Sequence, residues 1–200
     1  ERLLEGHAGA ARFAYNLMLA RIQSQLARGE KADWTMYAQR RWWNEWKNEI
    51  APWWAEYSKE AYNSAFESLA AALKNHFDSK AGRRKGKRMG WPRFKSKRRS
   101  MLRFVYTTGS FGLIGGDPKA LKLPRIGRVH CMENIARRVG DAKVVRMSVG
   151  RRAGRWYASL TVEREDKPVP CPPKGGSVGV DLGVKTLAAF SDGTGIANPR

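Results

Sequence analysis

The chain has 200 residues and a formal net charge of +20, with 42% hydrophobic and 10% aromatic residues. That hydrophobic content excludes a wholly disordered chain, and no apolar run approaches the roughly 18 residues needed to cross a membrane. Its two cysteines, Cys131 and Cys171, encode neither a disulfide framework nor a zinc site, so a reduced, cytoplasmic setting is expected.

The first eighty residues read as a helical bundle. Residues 2–28 hold no proline, and Gly29 is placed as a stop. A second helix is predicted over about 35–49, capped by Asp33 or Thr35 and ended before Pro52. Six tryptophans fall between 34 and 54. Trp42, Trp46 and Trp53 share a helical spacing and are expected in the core, which turns Trp43 and Trp54 elsewhere, toward a base or another subunit. The third helix starts at Ser58, a good cap, and carries Tyr62, Phe66, Leu69, Leu73 and Phe77 on one face. Ser64, Glu67, Ser68, Lys74 and Asn75 lie on the opposite face. His7, His76 and His130 are isolated and read as structural.

Near residue 80 the pattern changes. Residues 1–79 balance ten basic against ten acidic side chains, whereas 80–99 hold eleven basic residues and no acid. Charge localised in this way predicts a polyanionic partner, nucleic acid ahead of a membrane surface. Arg83, Arg84, Lys85, Lys87, Arg88, Arg93, Lys95, Lys97, Arg98 and Arg99 are the candidate phosphate contacts, with Arg103 just beyond and Trp91 and Phe94 available for stacking. Short strands are then predicted at 101–106, 119–123, 125–131, 143–150 and 155–163, separated by Gly-rich turns, which suggests a small sheet or barrel. "EDKPVPCPPKGG" (165–176) reads as an extended linker between domains.

The last stretch, "GSVGVDLGVKTLAAFSDGTG" (176–195), holds one carboxylate between two glycines. A period of two puts Val178, Val180, Leu182 and Val184 on a face built for a core, and Gly179, Asp181 and Gly183 on a nearly bare one. A strand-borne acid with bare neighbours suits a metal-dependent phosphodiester site, with Mg²⁺ as the metal. A polar residue on an exposed strand would show the same short pattern, and so would the "G-x-D-x-G" strand that opens actin-fold ATPases and sugar kinases. Asp192 with Gly193 reads as a turn. This last segment is too short to bury a core of its own, and the chain begins within a helix without a methionine, so a piece of a longer protein is expected.

"GVDLGVKTLAAFSDGTGIANPR" (179–200) resembles the first catalytic motif of the RuvC-type nuclease domain in the transposon-encoded TnpB (OrfB) family, relatives of the compact type V CRISPR effectors. "ARFAYNLML" (11–19), "SAFESLAAALKNHF" (64–77), "WPRFKSKRRS" (91–100), "LKLPRIGRV" (121–129) and "GRWYASLTVE" (154–163) resemble further parts of that family, in family order. The resemblance implies an α+β multidomain fold with five parts. These are a helical recognition bundle (1–80), a basic loop (81–100), an oligonucleotide-binding β-barrel (101–165), a Pro-rich linker (166–176) and the first strands of a ribonuclease-H-like domain (177–200). It also implies guide RNA and target DNA as partners in a bacterial or archaeal cell, near the nucleoid, and Asp181 as a catalytic Mg²⁺ ligand. The family's other acids, and often a zinc ribbon, would lie beyond residue 200, so these residues alone are not expected to cut DNA. Two other readings stay open: a nuclease-inactive RNA-guided binder, and a basic RNA-binding protein in which the last strand is purely structural.

Overall fold

The computed structural model describes residues 1–164 and 177–199. They fall in two compact units, 1–164 and 165–200. The predicted linker at 165–176, with Cys171, lies outside the described residues.

The first unit opens with helix α1 (Arg2–Ala27), which buries Leu4, His7, Ala11, Tyr15, Met18, Leu19 and Ile22 at three- and four-residue steps. Gly29 stops it in the left-handed region (φ 72°). Its N–H donates to the Leu26 carbonyl and that of Glu30 reaches Gln25, closing a Schellman cap. Helix α2 (Met36–Ile50) is capped by Thr35, whose Oγ1 accepts from the Ala38 amide at 3.2 Å. A short 3-10 turn (Pro52–Glu56) leads to α3 (Lys59–Lys80), capped by Ser58. Its far end carries a second Schellman cap at Gly82 (φ 69°), a stop the Gly-rich composition there conceals.

Two three-stranded antiparallel sheets follow. Strands β1 (Arg103–Tyr106), β2 (Gly112–Ile114), β3 (Asp117–Leu123) and β4 (Gly127–His130) precede a short helix, α4 (Ile135–Val139), and then come β5 (Lys143–Arg152) and β6 (Arg155–Glu163). The hydrogen-bonded orders are β1-β5-β6 and β2-β3-β4. Among the described residues the expected barrel is not closed. Helices cover the sheet faces instead: α1 and α3 pack on β1, and α4 on β3. Strand β2 and helix α4 were not expected from the sequence, being only three and five residues long.

Bundle and sheets share one core, from Leu4 through Phe66 and Leu69 to Phe104, Leu121 and Met147. His7 lies at its centre, with no exposed surface. Its Nδ1–H donates to the Leu3 carbonyl at 2.7 Å and its Nε2 accepts from the Ser58 amide at 3.1 Å, the pattern of one neutral tautomer. Its ring also meets those of Tyr57 and Phe104. Trp42 and Trp53 pack half-buried against this core as expected, and so does Trp54, but the expectation is reversed at Trp43 and Trp46. Trp43 is the buried one (4% exposed) and stacks on Tyr62 at 4.7 Å, whereas Trp46 is 38% exposed. Helix α2 meets α3 through Trp43, whose ring lies against those of Tyr62 and Phe66, and Trp46, about one turn farther along much the same side, is the more exposed of the two.

The second unit holds β7 (Val180–Asp181), β8 (Thr186–Phe190) and β9 (Gly195–Ala197) as an antiparallel sheet in that order. Asp192 is the expected turn residue between β8 and β9, accepting from the Thr194 amide at 2.9 Å. The expected apolar anchor of β7 is exposed: Val178, Val180, Leu182 and Val184 are 50, 55, 76 and 90% accessible. Only two residues of β7 pair with β8, and Ala188 is the one buried hydrophobic among the described residues of this unit. Three short strands alone do not build a second layer to cover that face.

Two outcomes follow. Trp43→Ala should cost about 3–5 kcal/mol in chemical denaturation, whereas Trp46→Ala should stay within about 1 kcal/mol. Stability should also fall with acid in two stages. Burial holds the His7 imidazole below its ordinary value of 6.5, against the Leu3 hydrogen bond, so its contribution is complete above pH 6.5 and is lost as pH falls below it. The Glu60 carboxyl lies below its ordinary value of 4.5, so its contribution is lost in turn as pH falls below 4.5. Thermal melts across this range should show both stages, and His7→Gln should remove the first alone.

Candidate nucleic-acid interface

The basic tract leaves α3 without regular secondary structure, yet it is anchored at both ends. Near its start, Ser79 Oγ accepts from the Met89 amide at 2.9 Å, and His76 Nδ1 faces the Met89 carbonyl at 3.1 Å. Trp91 packs edge-on to His76 and Phe77. It is therefore part of the fold's aromatic cluster, while Phe94 is 54% exposed. Farther on, Asn16 clamps Lys95 from both sides: Oδ1 accepts from the Lys95 amide at 2.8 Å, and Nδ2 donates to its carbonyl at 2.9 Å. The Lys95 ammonium lies 3.8 Å above the Tyr15 ring. Burial, with the nearby Arg103 charge, pulls its pKa down.

The other predicted cations divide into tethered and untethered groups. Arg83 donates to Asp78 at 2.9 Å and Arg84 to Asn75 at 2.7 Å, both back onto α3. Arg103 donates to Ser148 at 2.8 Å. Lys85, Lys87, Arg88, Arg93, Lys97, Arg98 and Arg99 are exposed and form no ion pair among the described residues. A run of exposed, unpaired cations on an anchored segment gains most from meeting phosphates, because no ion pair has to be broken first.

Beside this segment runs a cleft of about 450 Å³. Its floor is the small-residue side of α1 and α3 (Ala11, Ser64, Ala65, Ser68), and Arg12, Lys95, Arg103 and Arg146 line it. Glu67 is the acid in its lining and is paired, accepting from both Arg146 Nη atoms at 3.1 and 3.2 Å. That pair is half-exposed and contributes little to stability. An adjoining cleft of about 320 Å³ shares Ser64, Glu67 and Val105 and adds Arg40, Asn63, Thr107 and Thr108. Arg12, Arg40 and Arg146 escaped the sequence reading because they lie far apart in the chain. The polar stripe of α3 at Ser64, Glu67 and Ser68 was its legible part.

Asp181 is exposed on β7, opposite Ala189 of β8. The bareness at Gly183 has a local cause. A Cβ at Gly183 would come within 3.1 Å of the Thr186 carbonyl oxygen, and one at Gly179 would touch Ser191 at 3.5 Å. Only the Gly183 position is tight; the contact at Gly179 is one that an ordinary side chain makes. A carboxylate oxygen is the hard donor that Mg²⁺ takes. Among the described residues no three His, Cys, Asp or Glu side chains gather into a metal-holding group, so Asp181 fits as one ligand of a site and not as the whole site.

Residues 1–31, which form α1 and the turn after it, match a family described as a helix-turn-helix domain, HTH_OrfB_IS605. Over most of its length the chain is similar to curated proteins provisionally named RNA-guided DNA endonuclease. One from Mycobacterium tuberculosis is 34% identical, over 98% of this chain and 48% of its own. InsQ from Escherichia coli K12 is 33% identical, over 94% of this chain and 43% of its own. One from Streptomyces pristinaespiralis is 30% identical, over 78% of this chain and 36% of its own. The chain spans about half the length of the curated relatives it matches. Among the described residues no helix is long and apolar enough to cross a membrane.

Proposed function

The chain belongs to the TnpB (OrfB) family of transposon-encoded proteins, and we propose on that footing that residues 1–200 supply the nucleic-acid grip and one catalytic carboxylate of an RNA-guided DNA endonuclease. The observation that carries the reading is the set of exposed cations Arg93, Lys97, Arg98 and Arg99 on an anchored segment beside the cleft between α1, α3 and β1.

In this reading a guide RNA pairs with target DNA and supplies sequence recognition, and the protein holds the backbone and reads a short flanking duplex motif. Exposed Arg93, Arg98 and Arg99 neutralise phosphates, which positions the nucleic acid without reading it. The polar groups of α3 and the 91–103 segment meet base edges. Asp181 is the residue that would hold Mg²⁺, which when bound activates water and stabilises the leaving oxygen. On this reading the remaining ligands come from outside the described residues, and 177–200 belongs to a ribonuclease-H-like domain.

Two experiments test this. In the full-length protein Asp181→Ala should abolish Mg²⁺-dependent cleavage of a guided target while guide and target binding stay nearly intact. Cleavage that survives returns Asp181 to a structural role, and a wild-type protein that binds but never cuts is a guided binder only. Replacing Arg93, Arg98 and Arg99 by Gln should weaken binding evenly across sequences and lower the slope of log affinity against log salt by about 2–3. An unchanged slope refutes the phosphate assignment.

A further inference from the structure

The cleft between α3 and β1 is joined at one end by a buried carboxylate. Glu60, in the first turn of α3, is 2% exposed and accepts five hydrogen bonds. Thr107 gives its amide at 3.0 Å and its hydroxyl at 2.7 Å. Thr108 gives its amide at 3.2 Å and its hydroxyl at 2.9 Å, and Asn63 Nδ2 donates at 3.0 Å. The helix N-terminus favours the negative charge as well.

This arrangement exceeds what docking a helix on a strand requires. Burying a carboxylate is costly, and apolar contacts join such elements at less cost. A carboxylate supplies something they do not: it accepts only. Both threonine hydroxyls must therefore spend their single protons on Glu60, which leaves only lone pairs on Thr107 Oγ1 and Thr108 Oγ1 for other partners. Both residues are exposed on their other side and line the 320 Å³ cleft with Asn63, Ser64 and Glu67.

We propose that Glu60 is a positioning residue that holds Thr107 and Thr108 as acceptor-only groups, so that the cleft prefers base edges carrying an exocyclic amino group, adenine N6 or cytosine N4. Those are the donors a base pair shows in the major groove. The proposal rests on the reading that the protein reads a short flanking duplex motif through polar groups of α3. It assigns Glu60 to discrimination and not to overall affinity, which the Arg and Lys contacts supply.

The test is selection from a duplex DNA library with a randomised stretch, using the full-length protein purified with the RNA it carries. Wild type should enrich a motif with amino-bearing bases at one or two positions. Glu60→Gln allows a threonine hydroxyl to turn its proton outward. It should relax preference at those positions by about fivefold, the worth of one hydrogen bond, while the salt slope on unselected duplex stays as in wild type. A loss of global stability alone would leave preference per position unchanged in the folded fraction. If Glu60→Gln does not fold, the pair Thr107→Val with Thr108→Val decides, because it removes the acceptors and leaves Glu60 the two amides and Asn63. An unchanged motif in the folded variant overturns the proposal and leaves the duplex-motif reading standing. No motif with wild type overturns both.

Discussion

The head of α3 is the constraint on which the first unit depends. Two residues there tie separate parts of the chain together: Ser58, which also caps the helix, gives its amide to His7 of α1, and Glu60 takes Thr107 and Thr108 just after β1. Both buried ionisable groups are fully hydrogen-bonded, which is the condition under which a polar cluster rigidifies a core. Burial raises the Glu60 carboxyl, and the Thr107, Thr108 and Asn63 hydrogen bonds together outweigh it, so the charged form persists. Because α1, α3 and β1 are the walls of the basic cleft, their common junction also sets how far apart those walls stand.

Charge is arranged around that rigid junction by a different rule. The tract that leaves α3 is too cationic to pack against itself, and beyond the tethered Arg83 and Arg84 the fold holds it mainly by neutral handles: Trp91 on Phe77 and His76, the buried Pro92, and the Lys95 backbone on Asn16. Between the handles the guanidinium groups stay in water. An exposed charge loses little solvation while it waits for a phosphate, and its long-range field draws polyanions toward the cleft. The cations that the fold does engage, Arg83 and Arg146, are held by Asp78 and Glu67 in exposed pairs that are weak and easily exchanged.

The second unit obeys neither rule. Its hairpins are satisfied by their own turns: Ser191 bonds Gly179 in both directions, and Asp192 holds Thr194. Val178, Val180, Leu182 and Val184 are nevertheless in water, and among the described residues Asp181 stands on it as an isolated carboxylate. A metal site needs several converging ligands, and a two-residue strand presents one.

Sequence by itself determined the elements that depend on near neighbours. The three long helices, the caps at Thr35 and Ser58, the stop at Gly29, the turn at Asp192 and most of the strands are local in origin, since propensity, period and capping act within a few residues. The charge boundary at residue 80 was equally legible, because it is a count along the chain. Only the tertiary structure decided what depends on which faces meet. Trp43 and not Trp46 is buried because the contact with α3 falls at Trp43, against Tyr62 and Phe66, and a one-dimensional period cannot say where along α2 that contact lies. The sheets stay open because helices cover them. The cleft gathers Arg12, Glu67, Lys95, Arg103 and Arg146 from segments up to 134 residues apart in the chain. Glu60, an ordinary acid in the first turn of a helix when read in sequence, takes its partners 47 and 48 residues away. Contacts of that separation exist only once the chain has closed on itself, which is why they were invisible beforehand.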